Sequence, residues 1–156
     1  MRVLFKTAFA AGLAVSLLGA APLRAANPLQ LMHWIVGNWN CSSVAGARRT
    51  TYTATYSYAL GGTWLRAVNT SNGSVSEDLL SYANRAWRII DVEPSGMASV
   101  LEGPDTGLAH IALQTKYPKS GLNVTFDRLS TSKYTLTFSG MMNGKPARWQ
   151  DVCTKR

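Results

Sequence analysis

The chain has 156 residues, with 16 Lys and Arg against 8 Asp and Glu, a formal charge of +8 and only two cysteines. That length suits one domain with a real core. The basic residues are scattered rather than gathered in a stripe, which argues against a nucleic-acid partner.

The first segment, MRVLFKTAFAAGLAVSLLGAAPLRAANP, has Arg2 and Lys6 ahead of an uncharged apolar run from Ala8 to Ala21. Small residues follow at Ala20, Ala21, Ala25 and Ala26. This pattern predicts a secretory signal peptide over residues 1–25, cleaved near Ala25, and not a transmembrane anchor, which wants about 20 apolar residues. Its removal takes Arg2, Lys6 and Arg24 from the formal +8, leaving +5 on the 131 residues that remain of 156. The expectation is a periplasmic or secreted protein with a single domain over 27–156. An even cysteine count in that compartment predicts a Cys41–Cys153 disulfide, since neither has a CxxC neighbour.

Pro28 to Ile35 reads as one short helix, with Pro near its start, Gly37 beyond its end and an apolar face of Leu31, Trp34 and Ile35. From there the chain alternates. Tyr52, Ala54, Tyr56, Tyr58 and Leu60 fall on one face of a strand, with Thr51, Thr53, Thr55 and Ser57 on the other. Leu122, Val124 and Phe126 repeat the pattern, as do Tyr134, Leu136 and Phe138. Period two with one polar face marks half-buried antiparallel strands.

Turn signals stand at Gly61-Gly62, Asn72-Gly73, Pro94-Ser95-Gly96, Gly103 to Gly107, Pro118 to Gly121 and Asn143-Gly144. They divide the chain into about ten strands joined largely by hairpins. A bridge between the first and last strands makes those strands neighbours, because bridged Cα atoms stand ~4.4–6.8 Å apart. The predicted fold is all-β, a single antiparallel meander barrel with a short N-terminal helix.

Three stretches carry a resemblance. They are Trp34 to Cys41 (WIVGNWNC), Ala59 to Leu65 (ALGGTWL) and Trp149 through Cys153 to Lys155. Together they resemble exported bacterial lipocalin-like domains of unknown function, within the wider calycin group. The resemblance implies that Trp39, in Gly37-Asn38-Trp39, packs across the closed end of the barrel beneath Arg148 or Arg156. It makes the tryptophan- and cysteine-rich start of the domain a seam of the fold rather than a catalytic centre.

Little in the sequence marks chemistry. His33 and His110 lie on separate elements, short of the ligand cluster that a metal wants. Nitrobindin-like barrels hold haem through a histidine late in the chain, and this sequence has none after His110. No serine sits in a G-x-S-x-G elbow, and no opposed carboxylate pair is indicated. No cofactor is expected.

The tyrosine face is the strongest functional signal. If it points inward with Trp64, Trp87 and Tyr134, it lines a cavity suited to a flat amphipathic molecule. The candidate ligand-binding set is Tyr52, Tyr56, Tyr58, Trp64 and Arg66, with Arg66 an anchor for a carboxylate if it faces inward and merely solvated if it faces outward. A core filled by side chains is the competing reading, and the protein is then an interaction module working through its basic surface.

Overall fold

The computed structural model describes residues 27–156 other than Asn143. The signal peptide and its cleavage near Ala25 lie outside the described residues.

Asn27 caps the opening helix, its side chain accepting from the Leu29 amide at 3.0 Å, and Pro28 takes a position where its missing N–H costs nothing. Helix α1 (Pro28–Leu31) passes directly into a 3₁₀ turn, Met32–Ile35. The tighter turn, three residues per revolution, changes the phase of the apolar stripe. Leu29, Met32 and Ile35 are buried, and Leu31 is 54% exposed. Of the face predicted from α-helical spacing, Ile35 is buried and Trp34 packs against the core, while Leu31 points out and Leu29 and Met32 take its place.

Ten strands follow: β1 (Gly37–Ala45), β2 (Arg48–Ala59), β3 (Trp64–Ser71), β4 (Ser74–Ala83), β5 (Ala86–Val92), β6 (Ala98–Pro104), β7 (His110–Tyr117), β8 (Asn123–Arg128), β9 (Lys133–Met142) and β10 (Lys145–Lys155). Each pairs antiparallel with its neighbours in sequence, and β1 pairs with β10 to close the barrel. Closure leaves no unpaired edge to recruit another chain. Asn72-Gly73 turns with positive φ at both positions, the geometry that matches strand twist in a two-residue hairpin. Asn84-Arg85 does the same without a glycine.

Gly103 and Pro104 belong to β6 rather than to a turn, and the glycine has a steric reason: a Cβ there would stand 1.8 Å from the Ala112 carbonyl oxygen of β7.

The register at the closing seam runs from Trp39 opposite Lys155 to Val44 opposite Gln150. Cys41 faces Cys153 directly, and the two form a disulfide with Cα atoms 4.1 Å apart. The bridge spans 112 residues, a loop whose closure entropy is worth ~4–5 kcal/mol against the unfolded chain.

The helical segment lies across one end of the barrel. Trp39 is fully buried there and donates its indole N–H to the Ile35 carbonyl at 2.6 Å. Trp34, Tyr134 and Phe126 pack around it: Trp34 and Tyr134 meet Trp39 edge-on, and Phe126 stacks on Tyr134 at 4.9 Å. The cation over Trp39 is Lys155, its Nζ 5.6 Å from the ring. It is neither Arg148 nor Arg156. Arg156 bonds Asn40 instead, and Arg148 lies toward the far end of β10 opposite Ser139. A second cation, Arg128, stands 4.7 Å over Trp34. Lys155 also donates to the Trp34 carbonyl at 2.7 Å, so the last strand clasps the helical segment.

Candidate functional site: a two-walled cavity inside the barrel

Beyond the aromatic plug the barrel is not filled. A cavity of about 470 Å³ runs from Met32 and Ile35, beneath the helical segment, to Ser74, Glu93 and Pro94 near the opposite rim. Small residues make the room. Ala67, Ser71, Ser76 and Ser99 point inward where the closed end carries tryptophan and tyrosine.

Its two walls differ in chemistry. Strands β6 to β9 contribute Leu101, Ile111, Leu113, Val124, Phe126, Leu136 and Phe138. The arc that runs from β10 past β1 to β5 contributes Leu65, Leu80 and Ile89 and, beside them, the polar side chains Tyr52, Tyr56, Asn69, Asp78, Asp91 and Asp151. Among the described residues, no Lys, Arg or His lines the cavity.

The polar wall is a set of paired groups. Tyr52 donates its hydroxyl to Asp151 Oδ2 at 2.7 Å, and the Tyr56 and Tyr134 hydroxyls lie 2.9 Å apart. Asn69 donates to Asp78 Oδ2 at 2.8 Å, and Ser99 to Asp91 Oδ2 at 3.3 Å. Asp78 and Asp91 stand opposite each other on β4 and β5 and share a hydrogen bond. Burial pushes the Asp78 carboxyl up to about 7, with the negative charge of Asp91 beside it adding to the shift and Asn69 opposing it. Burial also raises Asp91, helped by the charge of Glu93. The phenols of Tyr52, Tyr56 and Tyr134 are all raised, chiefly by burial, and so remain hydrogen-bond donors at any physiological pH. One atom stands apart. Asp151 is 6% exposed and its Oδ1 has no hydrogen-bond partner among the described residues.

The candidate set read from the sequence divides. Tyr52 and Tyr56 line the cavity. Tyr58 shares their face but lies at the plugged end, donating to the carbonyls of Leu29 at 3.2 Å and Gln30 at 3.3 Å and stacking on His33, so it braces the helical segment. Trp64 and Arg66 do not line the cavity. Alternation along β3 sends Leu65, Ala67 and Asn69 inward, and Arg66 forms an ion pair with Glu77 on the outer face. Trp87 and Tyr134 are fully buried.

Sequence reasoning missed the carboxylates. A signal for them exists in the alternation: Asp78 is two residues from Leu80, Asp91 two from Ile89, and Asp151 two from Cys153. Each sits in phase with an inward apolar or sulfur-bearing neighbour. His110 lies outside this layer, exposed and 2.6 Å from Asp127.

No protein-family model matches the chain, and no curated protein matches it. Among solved structures, the chain is similar to a redesigned β-barrel at 8% identity, over 79% of this chain and 92% of that one, with a TM-score of 0.46.

Proposed function

We infer that the protein binds a small hydrophobic or amphipathic molecule inside its barrel, in the manner of a lipocalin-like carrier or sensor exported from the cell. The observation that carries this reading is the cavity of about 470 Å³, a size within the range of small-molecule pockets, with a largely apolar lining and a few placed polar groups. A filled core, the alternative reading, has no use for Ala67, Ser76 and Ser99 at inward positions. The Cys41–Cys153 bridge fits an oxidising compartment, and no helix among the described residues is long and apolar enough to cross a membrane.

Native mass spectrometry of the protein from its own exported fraction, before and after denaturation, tests the reading. A small molecule released on unfolding supports it. Bare protein in repeated preparations, together with no uptake of any amphipathic probe, overturns it.

A second reading draws on the same polar wall. Asp78, raised to about 7, next to a cavity with buried phenol donors, is equipped for proton transfer to and from a bound carbon acid. Deuterium exchange alpha to the carbonyl of a cyclic ketone probe, faster than in an Asp78→Asn variant, is the expected sign of such chemistry. Equal exchange in both sets it aside.

A further inference from the structure

We propose that the natural occupant of the cavity is an organic cation, a protonated amine on an aromatic or aliphatic body, with its ammonium held between Asp151 and the Asp78–Asp91 pair. This deepens the binding reading above and rests on it.

Three observations point to a cation independently. The first is the sign of the lining: every ionisable group on it is an acid or a phenol, although the chain as a whole carries a formal +8. An anion entering this space meets no counter-charge on the lining. A neutral ligand leaves the buried acids holding protons, whereas a cation lets them ionise. The second is Asp151. Its Oδ2 is taken by Tyr52, and its buried Oδ1 has no partner among the described residues, so one carboxyl oxygen of a cavity-lining side chain is left unpaired. A buried acceptor left unpaired is rare in folded proteins, and an N–H donor of the ligand completes it. The third is the opposite wall. Leu113, Val124, Phe126 and Phe138 face the acids across the cavity and accept the body of a molecule whose charge is turned the other way. The phenol rings of Tyr52 and Tyr56 add the aromatic surface that cations favour.

A metal ion fits less well. Among the described residues, no three His, Cys, Asp or Glu side chains come together as a metal site needs. An ammonium does not need three ligands: one carboxyl acceptor with a second acidic group nearby is enough to hold it.

The test is a matched series on the purified protein: 4-phenylbutylamine, 4-phenylbutanol and 4-phenylbutyrate, titrated calorimetrically. The amine is expected to bind at least about tenfold more tightly than the alcohol, and the acid more weakly than either. Asp151→Asn and Asp78→Asn should each weaken the amine about tenfold and the alcohol by clearly less, so that the preference for the amine shrinks. The amine should also bind more weakly at about pH 5 than at about pH 8, and release protons on binding, because a cation favours the ionised form of Asp78. The groups that face Asp78 in this titration are Asp91 and Glu93, Tyr52 and Tyr56, Tyr134, and Asp151. Alcohol or acid binding as tightly as the amine overturns the cation assignment and leaves the barrel a binder of small molecules. Binding of none of the three overturns both. The wild-type series decides the matter even if a variant fails to fold.

Discussion

The two halves of this barrel are built from the same strands with the same alternation, and they differ only in what the inward positions carry. At the plugged end those positions hold Trp39, Trp87, Tyr134 and Cys153, all fully buried, beneath a helical segment that inserts Met32 and Ile35. Toward the other end they hold Ala67, Ser76, Asp78 and Ser99, and a cavity opens. One region meets the packing density of an ordinary core, and the other gives up apolar contact to keep space and polar groups. Stability is thus concentrated in the half that has no room for a ligand. The half that has room is free to be specific.

Substitutions should separate the halves sharply. The largest effect belongs to the seam. Replacing Cys41 and Cys153 with serine should cost ~4–5 kcal/mol in urea unfolding, the loop-closure entropy of the bridge. A loss under about 1 kcal/mol would show that β1 and β10 stay paired without it. Next comes Trp39→Ala, where a fully buried ring and a hydrogen bond to Ile35 are lost together, at ~3–5 kcal/mol. The expected readout is a shifted urea midpoint, and a wild-type midpoint would move the keystone of the plug elsewhere.

The cavity half should respond to pH. The Asp78 carboxyl titrates near 7 in the fold and near 4 in the unfolded chain, so between these values the folded state binds more protons. Stability from this group is therefore fully present below about pH 4 and is lost as pH rises through 7, by on the order of 2–4 kcal/mol. Asp78→Asn should flatten that slope in denaturation measured across the range. An unchanged slope would assign it to other groups. Arg66→Ala should be the mildest change. Its ion pair with Glu77 is solvent-facing, so neither the unfolding midpoint nor probe binding should move measurably. Altered probe binding would return Arg66 to the site.

Much of this architecture was legible in the sequence, and the exceptions have physical causes. Ten strands and their order follow from alternation and turn residues, which are local. The disulfide follows from an even cysteine count together with the export that the first residues predict. The inward face of the helical segment was misread because a 3₁₀ turn shifts the phase after one α-turn, leaving Leu31 outside. The direction of β3 was not readable at all. Only residues 60–63 separate β2 from β3, two of them are glycines at positive φ, and such a linker sets inward parity by backbone geometry that side-chain type does not encode. Trp64 looks like an inward residue by type and is placed outward by register. The carboxylates were missed for the opposite reason. Acidic residues are assigned to solvent by default, and that rule fails where a protein spends stability on a site. The signal that overrides this default is strand phase: Asp151, for one, shares a face with Trp149 and Cys153.

The seam between β1 and β10 also sets a clock. The first strand to be made finds its second neighbour only when the last has arrived, more than a hundred residues later in synthesis. Until Lys145–Lys155 is available, β1 and β9 each present an open edge, and the growing sheet is exposed to pairing with other chains. Non-local closure of this kind is slow. A chain truncated before its final strand should therefore aggregate rather than settle into a smaller barrel, and the intact chain should depend on holding factors for as long as its C-terminus is still to come.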